Sequence, residues 1–219
     1  CPGMYCSSAP MDELDRDVLP NYCPMQTSPE IIESSIKRYE NTNVKSIYVP
    51  STITEGEAYQ IVRGVNMAVR PRIKELIEFS KLLGIKKIGI VFCLGLKDEA
   101  SRLTGFLEKQ NFEVASVLCK CGGVDKVMLG VNKQSKIRRN KERFEAACNP
   151  ILQAELLNRA GTEINVIVGL CIGHDILFTL NSKAPVTTLV VKDRLLGHNP
   201  VIALYSSYHR RVIESQERN

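Results

Sequence analysis

The segment from Ile164 to Asp175, INVIVGLCIGHD, constrains the fold more than any other part of the sequence. It opens with a mostly β-branched apolar run that ends at Leu170, a pattern typical of a buried strand. Cys171, a glycine, His174 and Asp175 follow, and they predict a turn and the start of a helix. A strand that leads straight into a helix is the repeating unit of parallel α/β proteins. The segment therefore predicts an α/β fold with a parallel sheet.

Three other apolar runs predict further strands of this sheet: KKIGIVFC, FEVASVLC and VTTLVVK. Between the first two, residues 96–110 predict an amphipathic helix with Leu103, Phe106 and Leu107 facing inward. A strand, a helix and a strand at this spacing indicate a parallel crossover. We therefore predict a Rossmann-like or flavodoxin-like layered fold with a mainly parallel sheet of four to five strands.

The first third of the chain is less regular. Residues 1–28 are cysteine-rich and lack periodicity, which predicts an irregular metal-binding segment. Residues 29–219 predict a single α/β domain, with 29–84 as a helical lead-in packed on it. Within the lead-in, residues 43–50 predict a short extended piece, and Thr54 predicts the N-cap of a helix that continues to Val69. Another helix is predicted from Pro71 to Gly84.

Composition narrows the classes of function. No apolar run approaches the length of a membrane span, so we expect a soluble protein. Eight cysteines in an intracellular-looking α/β pattern favour metal binding or catalysis in a reducing compartment, and we expect a cytoplasmic protein. The chain starts at Cys1 without a signal-like segment, which gives a secretory address no support. A net charge of +5 fits an anionic small molecule, and the lack of interleaved aromatic residues argues against nucleic-acid binding.

The predicted strand ends gather the chemically active side chains at one edge of the sheet. Three strands end on or just before Cys93, Cys119 and Cys171. Cys148, His174 and His198 each precede a predicted helix N-cap. The positive potential of helix amino termini favours thiolates and bound anions. The candidate catalytic residues are therefore Cys148, Cys171, His174, Lys192 and Asp193, and the candidate cofactor-binding residues are Cys93, Cys119, Cys148, Cys171 and His198.

A second group of thiols lies near the amino terminus. Cys1, Cys6 and Cys23 form a C-x4-C pair and a later N-Y-C-P, one thiolate short of the usual four metal ligands. An upstream cysteine, or one borrowed from the rest of the chain, would complete the set. The candidate metal ligands are then Cys1, Cys6, Cys23, Cys93, Cys119, Cys148 and Cys171.

The convergence of these residues is positional evidence, because the chain has no C-x2-C pair, no dinucleotide fingerprint and no P-loop. A single cysteine at the end of a buried strand is more often a small core residue than a ligand. Several cysteines and histidines at one edge favour a functional site.

Several motifs, among them FEAACNPILQAELLN, VGLCIGHD and VKDRLLGHNPV, resemble those of an uncharacterised prokaryotic family. That family is catalogued as a domain of unknown function and described as predicted to bind metal. The resemblance covers most of the chain from Leu76 onward and includes the amino-terminal cysteines. It implies metal binding and no established reaction. Cys121 lies outside the shared pattern, so we weight it below Cys119.

These observations predict a metal-dependent α/β protein that performs redox or sulfur-transfer chemistry on a small-molecule or anionic substrate, and they allow for a redox partner. An iron–sulfur cluster is the expected cofactor and zinc is the alternative. Two other functions stay open. One is a zinc carrier or sensor without catalysis. The other is a metal-free enzyme in which a cysteine nucleophile, such as Cys171 beside His174, attacks the substrate.

Overall fold

The computed structural model describes residues 5–7, 10 and 13–215, and the chain divides into two compact units, Cys1–Val69 and Arg70–Asn219. Cys1 lies outside the described residues. No helix in the described part of the chain is long and apolar enough to cross a membrane.

The first unit consists of short helices and a hairpin. Its elements in order are two 3-10 turns (Tyr5–Ser7 and Arg16–Val18), α1 (Pro24–Thr27), α2 (Pro29–Arg38), α3 (Thr42–Glu57), β1 (Tyr59–Val62) and β2 (Val65–Ala68). The two strands pair antiparallel. Cys23, Thr54 and Ala58 are buried, whereas every residue of the hairpin strands is exposed.

Two local predictions for the first unit are wrong. Residues 43–50 are helical, because Asn41 caps α3 by accepting a hydrogen bond from the Asn43 N–H at 2.8 Å. Residues 59–68 form the hairpin and not a helix. Arg63 and Gly64 both have positive φ, 53° and 80°, which suits the type I′ turn that joins two strands tightly. A local turn geometry therefore overrides the helical pattern.

The second unit is the predicted α/β layer structure. Its elements are α4 (Arg72–Leu82), β3 (Lys87–Phe92), α5 (Lys97–Glu108), β4 (Glu113–Leu118), α6 (Pro150–Ala160), β5 (Ile164–Val168), α7 (His174–Asn181), β6 (Val186–Val190), α8 (Ile202–Tyr205) and α9 (Ser207–Glu214). Short 3-10 turns occupy Leu94–Leu96, Lys126–Leu129 and Lys133–Ser135.

The four strands β3 to β6 form one sheet in the order β4-β3-β5-β6, and all three ladders are parallel. All five residues of β5 are buried, as expected for a central strand covered on both faces. In chain order this is a second-first-third-fourth arrangement, the order found in flavodoxin-like sheets. The predicted α/β class and parallel Rossmann-like sheet are confirmed.

The core of the second unit lies between this sheet and its helices. Leu103 and Leu107 of α5 are buried there together with Ala100, as their spacing on one helix face requires. Phe106, predicted to face inward, is 50% exposed. It sits at the margin of the stripe that Ala100, Leu103 and Leu107 define, so the helix leaves it at the surface.

Replacement by alanine is predicted to have opposite effects on the free energy of unfolding at Gly89, in β3, and at Gly105, in α5. A Cβ on Gly89 would lie 1.9 Å from Asn165 Oδ1 and 3.0 Å from Leu157 Cδ1, whereas a Cβ on Gly105 in α5 would meet nothing within 4 Å. We expect Gly89→Ala to lower the free energy of unfolding by about 1–3 kcal/mol through overpacking. Gly105→Ala should raise it by about 0.5–1 kcal/mol. Urea titrations measure both, and equal effects would contradict the packing at Gly89.

Candidate functional site

The site lies at the carboxyl ends of β3 and β5, the neighbouring strands between which the order of an open sheet reverses and ligands commonly bind. The Cys93 N–H donates to the Val168 carbonyl at 3.4 Å, so the β3–β5 pairing continues to the strand ends. Gly169 has a φ of +66°, and a Cβ there would lie 2.0 Å from Leu96 Cδ1. Glycine therefore allows the chain after β5 to approach the turn after β3 closely.

Cys93 forms an ion-pair-like contact with a lysine. It is buried at the end of β3, and the Lys192 ammonium, just beyond β6, donates a hydrogen bond to its sulfur. Burial raises the pKa of Cys93, but the Lys192 hydrogen bond, the Gly95 N–H and the Lys192 charge together lower it below the ordinary value. The fold thus stabilises a thiolate in a buried position.

Cys119 follows β4 and remains a thiol. Its N–H donates to the Phe92 carbonyl at 2.9 Å, which continues the β3–β4 ladder, and its sulfur accepts the Leu94 N–H at 3.3 Å. The hydrogen bond to Cys148 raises the pKa of Cys119 most, and burial raises it further. Cys119 is therefore the proton donor among these sulfurs.

Cys148 is the residue just before the cap of α6. The Asn149 N–H donates to the Cys119 carbonyl at 2.8 Å, and Asn149 Oδ1 accepts the Leu152 N–H at 3.0 Å. The predicted Asn-Pro helix start is confirmed. The Cys119 hydrogen bond lowers the pKa of Cys148 to about 5 in spite of burial. Cys148 is therefore a thiolate at neutral pH.

We name the group formed by Lys192, Cys93, Cys119 and Cys148 the thiol chain: the Lys192 ammonium donates to the Cys93 sulfur, the neighbouring Leu94 N–H donates to the Cys119 sulfur, and the Asn149 N–H donates to the Cys119 carbonyl. The charges of Lys120, His174 and Lys192 also favour the Cys148 thiolate. The structure places Cys93, Cys119, Cys148 and Lys192 at the carboxyl edge of the sheet, and their catalytic, cofactor-binding and metal-binding roles stay predictions.

Cys171 and His174 lie on the turn after β5. The Arg194 guanidinium donates to the Cys171 sulfur at 2.9 Å, and Cys171 forms no hydrogen bond to the described thiol chain. The Cys171 carbonyl accepts the N–H of His174 at 2.9 Å and that of Asp175 at 3.2 Å. His174 is the first residue of α7 and Gly173 is its cap, so the predicted Asp175 cap is wrong. The positive φ of 81° at Gly173 explains why glycine holds that position.

Asp193 and His198 form a turn of their own. The Asp193 carboxylate accepts the N–H groups of Leu195 and Leu196 at 2.9 and 2.8 Å, and the Asp193 N–H donates to His198 Nδ1 at 3.2 Å. His198 has a φ of 66°. These contacts commit the Asp193 carboxylate to the shape of the turn that carries Lys192 and Arg194. Catalytic or cofactor-binding roles for the two residues stay predictions.

Cys121 and the described cysteines of the first unit are not members of the thiol chain. Cys121 is half-buried, burial raises its pKa, and its sulfur donates weakly to the Asn149 carbonyl at 3.8 Å. In the first unit Cys23 is buried and Cys6 is exposed. Within residues 5–7, 10 and 13–215, no three or more Cys, His, Asp and Glu side chains are grouped so that they could hold a metal ion.

Residues 124–147, here the basic loop, connect β4 to Cys148. Its two ends pair with each other: the Ala147 N–H donates to the Val124 carbonyl at 2.8 Å, and Asp125 and Ala146 form a β-bridge. Lys120 donates to the Ala146 carbonyl. This closure brings the end of a long loop back to the end of β4, which places Cys148 beside Cys119.

Two buried charge pairs hold the inside of the basic loop. Lys136, 4% exposed, pairs with Asp125 at 3.0 Å, and Glu145, 7% exposed, pairs with Lys126 at 2.5 Å. Backbone N–H groups, chiefly that of Val127, lower the pKa of Asp125 to about 2. The Lys126 hydrogen bond and the Arg138 N–H do the same for Glu145. The loop is therefore an ordered part of the site.

Sequence reasoning missed two basic residues of the site. Lys120 stands between two cysteines, and Arg194 follows the predicted Lys192 and Asp193. Their proximity to the strand ends was a usable signal for both. Neither a strand pattern nor a helix pattern shows which thiol each would face.

The fold and the thiol chain define a parallel α/β protein with a cysteine site at the carboxyl edge of its sheet. The chain belongs to the family described as "Protein of unknown function (DUF1847)", whose sequence model matches residues 23–189. It is also 46% identical over 195 residues to an uncharacterized protein of Methanocaldococcus jannaschii. The aligned region covers 89% of this chain and 92% of the archaeal protein. The predicted family is thus confirmed, and neither description names a metal or a reaction.

Removing the Cys119 thiol tests the thiol chain. Its hydrogen bond is the largest cause of the low pKa of Cys148, so we expect Cys119→Ala to raise that pKa by at least about one pH unit. The rate of iodoacetamide alkylation at Cys148, followed by mass spectrometry against pH, measures the midpoint. Cys171→Ala is the control and should leave it unchanged. An unmoved midpoint in Cys119→Ala would show that the two sulfurs do not interact.

Acid unfolding tests the charge pairs of the basic loop. The folded-state pKa of Glu145 is about 2 against an ordinary 4.5, so its contribution to stability is present above about pH 4.5 and is lost as pH falls toward 2. We expect Glu145→Gln to flatten the pH dependence of the unfolding free energy in this window. Glu142→Gln, which removes an exposed pair with Lys133, should flatten it less. Identical curves for the two variants would contradict the burial of the Glu145 pair.

Proposed function

We propose that this protein carries out thiol–disulfide exchange on a small molecule, with Cys148 as the nucleophile and Cys119 as the second thiol. The observation that carries the proposal is the hydrogen bond from the Asn149 N–H to the Cys119 carbonyl at 2.8 Å, which places Cys148 beside Cys119 at the carboxyl edge of the sheet. The interaction of the two side chains lowers the pKa of Cys148 and raises that of Cys119. Adjacent thiols of unequal acidity are the arrangement that disulfide chemistry uses.

The first step is attack of the Cys148 thiolate on one sulfur of a substrate disulfide R–S–S–R′. A bond forms between Cys148 and the R-bearing sulfur, the substrate S–S bond breaks, and R′–S⁻ leaves. In the second step Cys119 gives its proton to R′–S⁻, and the resulting Cys119 thiolate attacks the Cys148 sulfur. R–S⁻ is released and a Cys119–Cys148 disulfide remains. The substrate gains two electrons and the protein loses two, which a dithiol reductant then restores.

Cationic groups around the thiolate indicate an anionic substrate. The charges of Lys120, His174 and Lys192 lower the pKa of Cys148. The Arg194 guanidinium donates a hydrogen bond to the Cys171 sulfur. The one carboxylate of the adjoining turn, Asp193, accepts two backbone N–H groups. A negatively charged substrate would therefore meet attraction at this edge. The chemistry also suits a reducing, cytoplasmic setting, in which both thiols are regenerated.

Metal binding is the second candidate, and the same thiols motivate it. Cys93, Cys119 and Cys148 lie at one edge of the sheet and are the soft donors that an iron–sulfur cluster or zinc prefers. Against it, the described side chains form no group that could hold a metal ion. An iron–sulfur cofactor, a zinc carrier and a ligand role for Cys6 or Cys23 therefore remain proposals, and no step is written through them.

The test combines metal analysis with a disulfide assay on one preparation. After anaerobic purification, iron, zinc and acid-labile sulfide are quantified per chain. The reduced protein is then mixed with glutathione disulfide, an anionic probe, and with cystamine, a cationic one. We expect an intramolecular Cys119–Cys148 disulfide by peptide mapping, formed at least about tenfold faster with the anionic probe at low salt. Cys148→Ser should abolish it, whereas Cys6→Ser should leave it intact.

The outcomes separate the candidates. A mixed disulfide that accumulates on Cys148 and never resolves, or equal labelling of all cysteines, would overturn the exchange proposal. Stoichiometric iron and sulfide lost in Cys148→Ser would favour the cluster, and one zinc per chain lost in the same variant would favour the carrier.

A further inference from the structure

The basic loop carries almost all of the net charge of the protein. Its residues 124–147 include seven Lys and Arg and three Asp and Glu, a net charge of +4, whereas the whole chain carries +5. A charge so concentrated on one connecting segment sets up a local positive potential that a more even distribution would not.

The acidic residues of the loop are all used inside it. Asp125 pairs with Lys136, Glu145 with Lys126, and Glu142 with Lys133. Arg138, Arg139 and Arg143 are exposed, and no guanidinium of the three has an ion pair within the described part of the chain. Three of the four excess positive charges of the loop are thus displayed by exposed arginines, and the fourth belongs to Lys141, which donates to the Lys136 carbonyl.

The backbone that carries these arginines is fixed. The Arg138 N–H donates to the Glu145 carboxylate at 2.7 Å, and the Arg143 carbonyl accepts from Lys136 Nζ at 2.9 Å. Both partners are buried. A surface that is held in place before it binds loses less conformational entropy on association. Such anchoring therefore favours a binding role for the loop over a role as a solvated connection.

Exposed apolar side chains accompany the arginines. Ile137 is 85% exposed, Met128 77% and Phe144 55%. Arginine, methionine and aromatic residues are enriched at the centres of protein–protein interfaces. Nucleic acids are bound mainly through phosphate contacts and stacking, and neither Ile137 nor Met128 contributes to those. The composition therefore favours an acidic protein surface as the occupant.

The loop ends at the reactive thiol: Arg143 and Phe144 lie five and four residues before Cys148. We propose that the basic loop docks the acidic face of a dithiol protein, which reduces the Cys119–Cys148 disulfide after each turnover. The proposal rests on the proposed exchange reaction and names the chemistry of its second substrate. A partner seated on the arginines would present its dithiol next to Cys148.

Binding is tested first, without thiol chemistry. Two fluorescent peptides have a Ser-Gly-Pro-Ser centre flanked by glutamate runs or by lysine runs, and a single-stranded oligouridylate serves as the nucleic-acid probe. We expect the glutamate peptide to bind at least about tenfold tighter than the lysine peptide at low salt, and the advantage to shrink at about 0.5 M salt. The triple variant Arg138→Glu, Arg139→Glu, Arg143→Glu should lose this preference. The control variant changes the net charge by the same amount and should keep the preference for the glutamate peptide; it carries Lys97→Glu, Lys109→Glu and Lys183→Glu.

Reduction is tested second. The protein is oxidised with glutathione disulfide, and its reduction is followed with dithiothreitol and with Cys-Gly-Pro-Cys versions of the two peptides. We expect the glutamate dithiol to reduce the wild type about tenfold faster than the lysine dithiol, with the order lost in the arginine variant. Dithiothreitol, which is uncharged, should reduce both proteins at one rate.

Each result has one meaning. Equal binding of the two peptides, or a preference that survives the arginine variant, overturns the docking proposal whatever the thiols do. Oligouridylate bound more tightly than the glutamate peptide, with loss in the arginine variant, also overturns it and makes the loop a nucleic-acid site. Failure to form a Cys119–Cys148 disulfide defeats the exchange reaction, and the docking proposal with it even where the peptides bind selectively.

Discussion

The parallel pairing of β3 with β4 and β5 is the constraint on which the site depends. In a parallel ladder every strand ends at the same edge, so Cys93 and Cys119, which are 26 residues apart, finish side by side. The pairing continues one residue beyond the strands, through the N–H groups of Cys93 and Cys119. That extension holds both residues in the ladder, and it places the Cys93 sulfur where the Lys192 ammonium donates to it.

Burying thiolates near one another is unfavourable, and the arrangement of protons and cations offsets the cost. Two sulfurs, Cys93 and Cys148, are stabilised as anions, while Cys119 between them keeps its proton. Lys192 neutralises one end of the thiol chain. Because the sulfurs interact, the acidity of each one depends on whether its neighbours carry a proton. A substitution at Cys119 therefore alters the reactivity of Cys148 although Cys148 itself is unchanged.

The sequence predicts the second unit well, because its signals are local and agree with one another. Apolar β-branched runs mark β3 to β6, and Asn149-Pro150 marks the start of α6. The rule that parallel strands end together then predicts the cluster of cysteines. The sequence could not show which side chains make hydrogen bonds to one another. Examples are the bond from Arg194 to the Cys171 sulfur and the bond that the Asp193 carboxylate accepts within its own turn. The β1–β2 hairpin was missed because a two-residue turn decided it against a helix-like pattern.

The basic loop links reactivity to recognition through one set of charges. Asp125 and Glu145 close the two ends of the loop, and this closure delivers Cys148 to Cys119. The same carboxylates draw Lys126 and Lys136 inward, so Arg138, Arg139 and Arg143 are left to face solvent. A loop that only needed to position Cys148 could have been short and neutral. Its length and its unpaired arginines are explained together if the segment that places the thiolate also receives the partner that reduces it.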